Sequence, residues 1–287
     1  MTSTHYDQLY TEFLNGNQVQ GIEELVMRLH DAREDGAAFD EATEALRNHK
    51  LFDLVRKDPY TDHSMQRPRG YPGDAELIDM IYRVEPKGDP DDFGRSIFDR
   101  TIACGASEAV RQRLKFAREL LSIAVANGQS VCSLAGGHLR EADGLAGQIS
   151  ERFTVVDQDA QSLSVVRDTH DSSIETIEAN VFNWLRTAPR DGRNYDLVYS
   201  LGLTDYLDAR QLLTFTKLAA KIMAPGGKLV LANFHDHRWS AYMEAAMDWY
   251  LVYRTEADMA QNAKDAGLNH RIFRDATGYI IYCEMWV

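Results

Sequence analysis

After residue 128 the chain settles into one alternation, and that alternation restricts its fold more than any other feature. Five short β-rich runs follow one another: SVCSLA (130–135), RFTVVD (152–157), SIETIEANV (173–181), YDLVYSLGL (195–203) and GKLVLANF (227–234). Segments patterned for helices, 138–150, 159–168 and 208–223, separate most of them. Strand, helix and strand in succession are joined most simply in parallel, through right-handed crossovers. The sequence therefore predicts an α/β protein with a largely parallel sheet. Its last residues, HRIFRDATGYIIYCEMWV, read as two strands joined by a tight turn near Thr277-Gly278.

The chain before this region is patterned differently. Leu9, Phe13 and Leu14, then Ile22, Leu25, Val26 and Leu29, recur at helical spacings. A third helix is expected to open at Asp40 and to be stopped by Pro59. Asp74 is placed to cap the next, ahead of the stripe Leu77, Ile78, Ile81 and Tyr82. A further helix ends near Gly128, with Ser107 as a possible N-cap. The Pro-, Gly- and Asp-rich stretch EPKGDPDDFG (85–94) predicts the domain boundary, dividing a helical cap, 1–93, from a core, 94–287.

Composition narrows the partners. With 31 Lys and Arg against 44 Asp and Glu among 287 residues, the net charge is −13, which repels nucleic-acid phosphates and anionic lipid surfaces. The chain has no signal-peptide pattern at its start, and no apolar run approaches the ~18 residues of a membrane span. Cys104, Cys132 and Cys283 form neither a disulfide framework nor a CxxC pair. The expectation is a cytoplasmic protein with a small-molecule partner, no nucleic acid and no membrane, its oligomeric state left open.

The first β-α junction reads SLAGGHLREADG. Gly136-Gly137 lets a ligand approach the main chain, yet His138, Leu139, Arg140 and Glu141 follow, so the G-x-G-x-x-G dinucleotide pattern is not met. Asp157 ends the second strand 20 residues after Gly137, where a carboxylate can accept hydrogen bonds from both ribose hydroxyls. Taken singly, the glycines read as a tight turn and Asp157 as a helix cap. At this spacing, the two point to a nucleoside.

With these motifs in order, followed by ANVFNW, YDLVYSLGL and MAPGGKLVLAN, residues 94–287 resemble the class I S-adenosylmethionine-dependent methyltransferase family. The resemblance implies a Rossmann-like, seven-stranded, mostly parallel sheet whose last strand is antiparallel, with S-adenosyl-L-methionine as cofactor. It implies that Gly136 and Gly137 pass beneath the methionine and ribose, that Asp157 holds the ribose and that Gln158 flanks the adenine. Asn180, Val181 and Phe182 would meet the adenine edge, and Ser200, Leu201 and Gly202 would end the fourth strand at the active-site mouth. His138 departs from the pattern, standing where many members carry a third glycine.

The implied reaction is methyl transfer to a small acceptor, because SLGL stands where amino-methylating nucleic-acid enzymes of this fold carry Asn/Asp-Pro-Pro-Tyr. Two alternatives remain open. One is cyclisation of the cofactor to azetidine-2-carboxylate with release of methylthioadenosine, as in similar bacterial cyclases. The other is a cofactor-binding module without turnover. An NAD-linked oxidoreductase is disfavoured by the missing third glycine.

Catalytic candidates lie elsewhere. Asn233 and His235 follow the fifth strand, and His235 is a candidate base. Asp236 and His237 complete an H-D-H triplet whose metal reading is disfavoured, since it offers two imidazoles and no further ligand cluster. In RPRGYPGD (67–74), Arg69 or Arg67 could grip the cofactor carboxylate bidentately. Tyr71 could face the sulfonium or donate a hydrogen bond. The plainer reading of this loop is a rigid turn before the helix that Asp74 caps. Trp239, Tyr242, Met243, Ala246, Tyr250 and Tyr253 share a helical face, which predicts a helix packed on the sheet.

Overall fold

A computed structural model describes residues 3–170 and 172–287. Eight helices come first: α1 (Ser3–Leu14), α2 (Gln18–Arg33), α3 (Gly36–Arg47), α4 (Lys50–Val55), α5 (Pro59–Gln66), α6 (Ala75–Arg83), α7 (Asp92–Ile102) and α8 (Gly105–Ala126). The alternating region follows as β1 (Val131–Leu134), β2 (Phe153–Asp157), α9 (Ala160–Thr169), β3 (Ile174–Glu178), α10 (Val181–Thr187), β4 (Tyr195–Ser200), α11 (Ala209–Ala220) and β5 (Met223–Phe234). Helices α12 (Ser240–Met247) and α13 (Glu256–Asp265) and strands β6 (Asn269–Arg274) and β7 (Ile280–Trp286) complete it. Two compact units result: Met1–Arg111 with Asp236–Tyr250, and Gln112–His235 with Leu251–Val287.

In the helical unit, α2 buries Ile22, Leu25, Val26 and Leu29 on one face, as their spacing predicts. The expected helix from Asp40 to Pro59 is two helices. Asp35, not Asp40, caps α3, its side chain accepting the Ala38 N–H, and His49 opens α4 by accepting the Leu51 N–H at 3.0 Å. Pro59 starts α5 rather than stopping a helix. At the first helical position its missing N–H costs nothing, and Asp58 caps the turn by accepting the Tyr60 and Thr61 N–H groups.

The aromatic segment after β5 also departs from expectation. It forms only the two turns of α12, ended at Asp248 with φ +52°, and it packs on α2, α3 and α5. All eight α12 residues are buried. Its terminal carbonyls, which a helix cannot satisfy internally, are taken by Arg47, which donates to Glu244 O and Ala245 O at 2.9 Å each. Ser64 Oγ donates to Met247 O at 2.8 Å, and Thr61 Oγ1 lies 3.0 Å from the Tyr242 hydroxyl. The helical unit thus runs past the expected boundary at 93, because α7 packs on α2 and α5, and it recruits a distant segment.

In the other unit the sheet runs β3-β2-β1-β4-β5-β7-β6. The first five strands pair in parallel, and β7 runs antiparallel between β5 and β6. On one face Cys132, Leu134, Val156, Val198 and Leu231 meet Trp184, Leu185, Leu212, Phe215 and Met259. On the other, Val131, Phe153, Val155 and Val230 meet Leu121, Ala124, Leu163 and Val166. Each such buried Leu or Phe stabilises the fold by about 2 kcal/mol relative to exposure. The helix expected over 138–150 is absent, apart from a 3-10 turn at Arg140–Ala142. Left-handed backbone at Leu139, Gly144 and Gly147 prevents its growth. Among the described residues no helix is long and apolar enough to cross a membrane.

Candidate functional site

The strand order reverses between β1 and β4, so the crossovers on either side leave toward opposite faces and open a crevice at the carboxyl ends of these strands. The turn after β1 lies there. Ala135 adopts φ +56°, Gly137 +54° and Leu139 +51°. For alanine and leucine this left-handed conformation costs about 1–2 kcal/mol each. Gly136 is pressed onto the sheet, where an added Cβ would stand 2.4 Å from Val155 Cγ2 and 2.8 Å from Ser133 Oγ.

Asp157 fixes the next edge. Its Oδ2 accepts the Gly137 N–H at 2.8 Å and its Oδ1 the Asp159 N–H at 2.9 Å, which ties the ends of β1 and β2 together. Burial raises its pKa, against the opposing effect of these N–H donors. The helix cap is Asp159, which accepts the Gln161 N–H at 3.0 Å, so Asp157 is not explained as a cap. Gln158 beside it is exposed. At the end of β3, Ala179 N–H donates to Asp157 O at 2.9 Å. Asn180 caps α10 through the Phe182 and Asn183 N–H groups, Val181 is buried in the core, and Phe182 is half-buried against Phe215.

Ser200 ends β4, buried, and its Oγ has no hydrogen-bond partner. The next carbonyl, Leu201 O, accepts from Arg113 Nη1 of α8 at 2.8 Å, and Arg113 is only 8% exposed. Glu141 and Asp205 flank this guanidinium electrostatically. Glu141 accepts from the Tyr199 hydroxyl at 2.9 Å, and burial raises its pKa. Asp205 accepts the Phe234 N–H at 2.7 Å, and burial pushes it up to about 6 against the pull of Arg113 and Arg254.

The catalytic role expected for Asn233 does not match its environment. Its Nδ2 donates to Phe234 O at 3.0 Å and Val252 O at 2.8 Å, while Oδ1 accepts from Arg254 Nη1 at 2.6 Å. Arg254 also donates its backbone N–H to Phe234 O at 3.0 Å and Nη1 to Thr204 O at 2.8 Å. Asn233 is therefore a structural staple. His235 is half-buried, with its N–H on Tyr279 O at 2.7 Å and its Nδ1 buried without a hydrogen-bond partner.

The arginine-tyrosine loop belongs to the helical unit. Arg67 donates to the Asp248 carboxylate and, at 2.9 Å, to its carbonyl. Arg69 donates to Glu76 at 3.0 Å. Burial acts to raise the Glu76 pKa, but hydrogen bonds from Lys87 and Arg69 outweigh it and hold the group low. Asp74 caps α6 through the Leu77 N–H at 2.9 Å, as expected, and both of its oxygens lie 2.9 Å from His63 Nε2. Tyr71 is half-buried in this unit.

The sheet edge thus gathers Gly136, Gly137, Asp157, Gln158, Asn180–Phe182, Ser200 and Leu201, with Asn233 and His235 at the end of β5. Sequence reading passed over Arg113 and Asp205. An arginine in VRQRLKF reads as a solvated helix charge, and only tertiary structure shows that Arg113 is buried. Among the described residues no three His, Cys, Asp or Glu side chains gather as a metal site requires.

The architecture is the class I methyltransferase fold. Two solved structures share it with this chain. A possible exported protein from Bordetella parapertussis is 16% identical with a TM-score of 0.64, the match covering 94% of this chain and 95% of that one. Magnesium protoporphyrin IX methyltransferase from Synechocystis PCC 6803, solved with bound SAH, is 13% identical with a TM-score of 0.53, covering 77% of this chain and 98% of that one. At such identities the likeness is one of fold. No protein-family model matches the chain, and no curated protein matches its sequence.

Proposed function

We propose that the chain is an S-adenosylmethionine-dependent methyltransferase acting on a small acceptor. The observation that carries this reading is Asp157. It is a buried carboxylate fastened to the glycine turn at the switch point and left without a role as a helix cap.

The residues present fit the cofactor. Asp157 would accept the ribose hydroxyls, Gly136 and Gly137 would admit the close approach of the main chain, and Asn180–Phe182 would border the adenine. Ser200 Oγ, buried and unpartnered, is a polar group suited to a ligand at the end of β4. When bound, the cofactor supplies an electrophilic methyl group on a sulfonium. The chain has to orient an acceptor and keep water out. His235 Nδ1 is the available proton acceptor at the end of β5 for an acceptor that must lose a proton. The net charge of −13 and the SLGL sequence favour a small acceptor over nucleic acid. The Synechocystis neighbour, a methyltransferase named for a small molecule, agrees with this reading.

The test is to incubate purified protein with S-adenosylmethionine, with and without a panel of small acceptors, and to analyse the products by mass spectrometry. S-adenosylhomocysteine that forms only with an acceptor supports methyl transfer. Methylthioadenosine with azetidine-2-carboxylate, formed without an acceptor, replaces it with cyclisation. Calorimetry showing NAD bound and S-adenosylhomocysteine ignored overturns the cofactor assignment.

A further inference from the structure

We infer that Glu141 binds the α-ammonium group of the ligand's amino-acid end, with Tyr199 as the residue that positions it, an inference that rests on the cofactor reading above. Glu141 stands on the 3-10 turn Arg140–Ala142, directly after the glycine turn. It is half-buried, and its Oε1 accepts the Tyr199 hydroxyl at 2.9 Å. Tyr199 pairs with Ser133 across β4 and β1, the two strands between which the order reverses. Gly136 is pressed onto that same Ser133, so the glycine turn and the Glu141–Tyr199 pair share one footing.

A carboxylate withdrawn from water needs N–H donors or a cation close by. The neighbouring acids have them. Asp157 accepts the Gly137 and Asp159 N–H groups, and Asp205 accepts that of Phe234. Asp143, two residues after Glu141, is met by Arg118 at 3.9 Å and His170 at 3.8 Å. Glu141 has only neutral donors, the Tyr199 phenol and its own backbone N–H. Among the described residues no Lys, Arg or His side chain forms an ion pair with it, and Arg113 acts on it from beyond that distance. A phenol that donates to one oxygen fixes the direction of a carboxylate without cancelling its charge.

Ser200, the residue after Tyr199, is a second unfinished polar group at this strand end. It is 1% exposed and its Oγ has no hydrogen-bond partner, so the edge holds polar contacts that the chain itself leaves incomplete. The proposed cofactor offers two cations. A sulfonium carries no N–H, whereas an ammonium presents three donors and meets a carboxylate in charge-assisted hydrogen bonds. The ammonium is therefore the group that Glu141 suits.

The experiment compares two ligands by calorimetry: S-adenosylhomocysteine and its desamino analogue, which keeps the nucleoside, the neutral sulfur and the carboxylate. Wild-type protein is expected to prefer S-adenosylhomocysteine by about tenfold or more. Glu141→Gln is expected to weaken S-adenosylhomocysteine roughly ten- to hundredfold and to leave the desamino analogue within about twofold, since only the charge-assisted contact is lost. Tyr199→Phe, which keeps the ring and frees the carboxylate, is expected to weaken S-adenosylhomocysteine by a smaller factor with the same selectivity. Equal weakening of both ligands, or unchanged S-adenosylhomocysteine affinity in Glu141→Gln, makes Glu141 a structural residue and overturns the inference. If Glu141→Gln does not fold, Tyr199→Phe carries the comparison, and equal weakening is again fatal. Wild-type protein that binds both ligands equally overturns the ammonium contact and leaves the cofactor reading standing. Wild-type protein that binds neither overturns both.

Discussion

Two glycine-bearing turns hold the side chains that looked most like ligand contacts, and the fold finishes them in opposite ways. In RPRGYPGD, Arg67 meets Asp248, Arg69 meets Glu76, and Asp74 meets His63 and the Leu77 N–H, all within the helical unit. In SLAGGHLRE, two non-glycine residues are held left-handed and one edge is fastened by a buried aspartate, while at the neighbouring end of β4 a buried serine hydroxyl lacks a partner. The first turn neutralises its own charges and so stabilises itself. The second costs backbone energy at Ala135 and Leu139, as the first does at Arg67, with φ +48°.

The largest expected effect tests the second turn. Asp157→Ala removes the acceptor proposed for the ribose and is expected to weaken S-adenosylhomocysteine binding at least about 100-fold by calorimetry. Loss below about threefold would erase the distinction between the turns.

The next concerns pH, and each unit carries a counterpart. Burial pushes Asp205 in the sheet unit and Asp58 in the helical unit up to about 6 from an ordinary 3.8. The folded chain holds these protons more tightly than the unfolded chain does. Below about pH 4 both states are protonated and there is no cost. As pH climbs from about 4 to above 6, each group subtracts up to about 3 kcal/mol of stability. Asp205→Asn is expected to flatten its share of this slope in urea titrations run at about pH 4.5 and 7.5. A slope identical to that of the wild type would count against the buried, raised carboxyl.

Asp74→Ala should act on stability alone. Losing the α6 cap and the partner of His63 is expected to cost about 2 kcal/mol in urea unfolding, with S-adenosylhomocysteine affinity within about threefold of wild type. The smallest effect is expected of Arg69→Ala and Tyr71→Phe, which should leave nucleoside affinity within about twofold. A tenfold loss in either, a change of about 1.4 kcal/mol, would return the arginine-tyrosine loop to the ligand site.

Much of the sheet unit was legible because β-branched apolar runs and helical stripes alternate there, and because Gly137 and Asp157 stand at a telling interval. The rest depended on contacts distant in sequence. Nothing local distinguishes Asp40 from Asp35 as a cap, or warns that His49 opens a new helix; Pro59 suits either the end of one helix or the first turn of another. The failed helix over 138–150 depends on Leu139 adopting a backbone that leucine normally avoids. The commitment of Asn233 to Val252 and Arg254, and the burial of Arg113, exist only once β4 and β5 are in register.

The placement of α12 also bears on synthesis. Its eight residues fill space among α2, α3 and α5, yet they are encoded after β5. A ribosome that has released the first 111 residues has released helices that still lack the segment filling the space among α2, α3 and α5. At ~5–20 residues per second, roughly ten seconds pass before that segment emerges. During this interval the nascent helices expose apolar faces that only the later segment covers. A fragment ending at Arg111 would keep that exposure permanently, so it is a candidate for aggregation rather than a stand-alone domain.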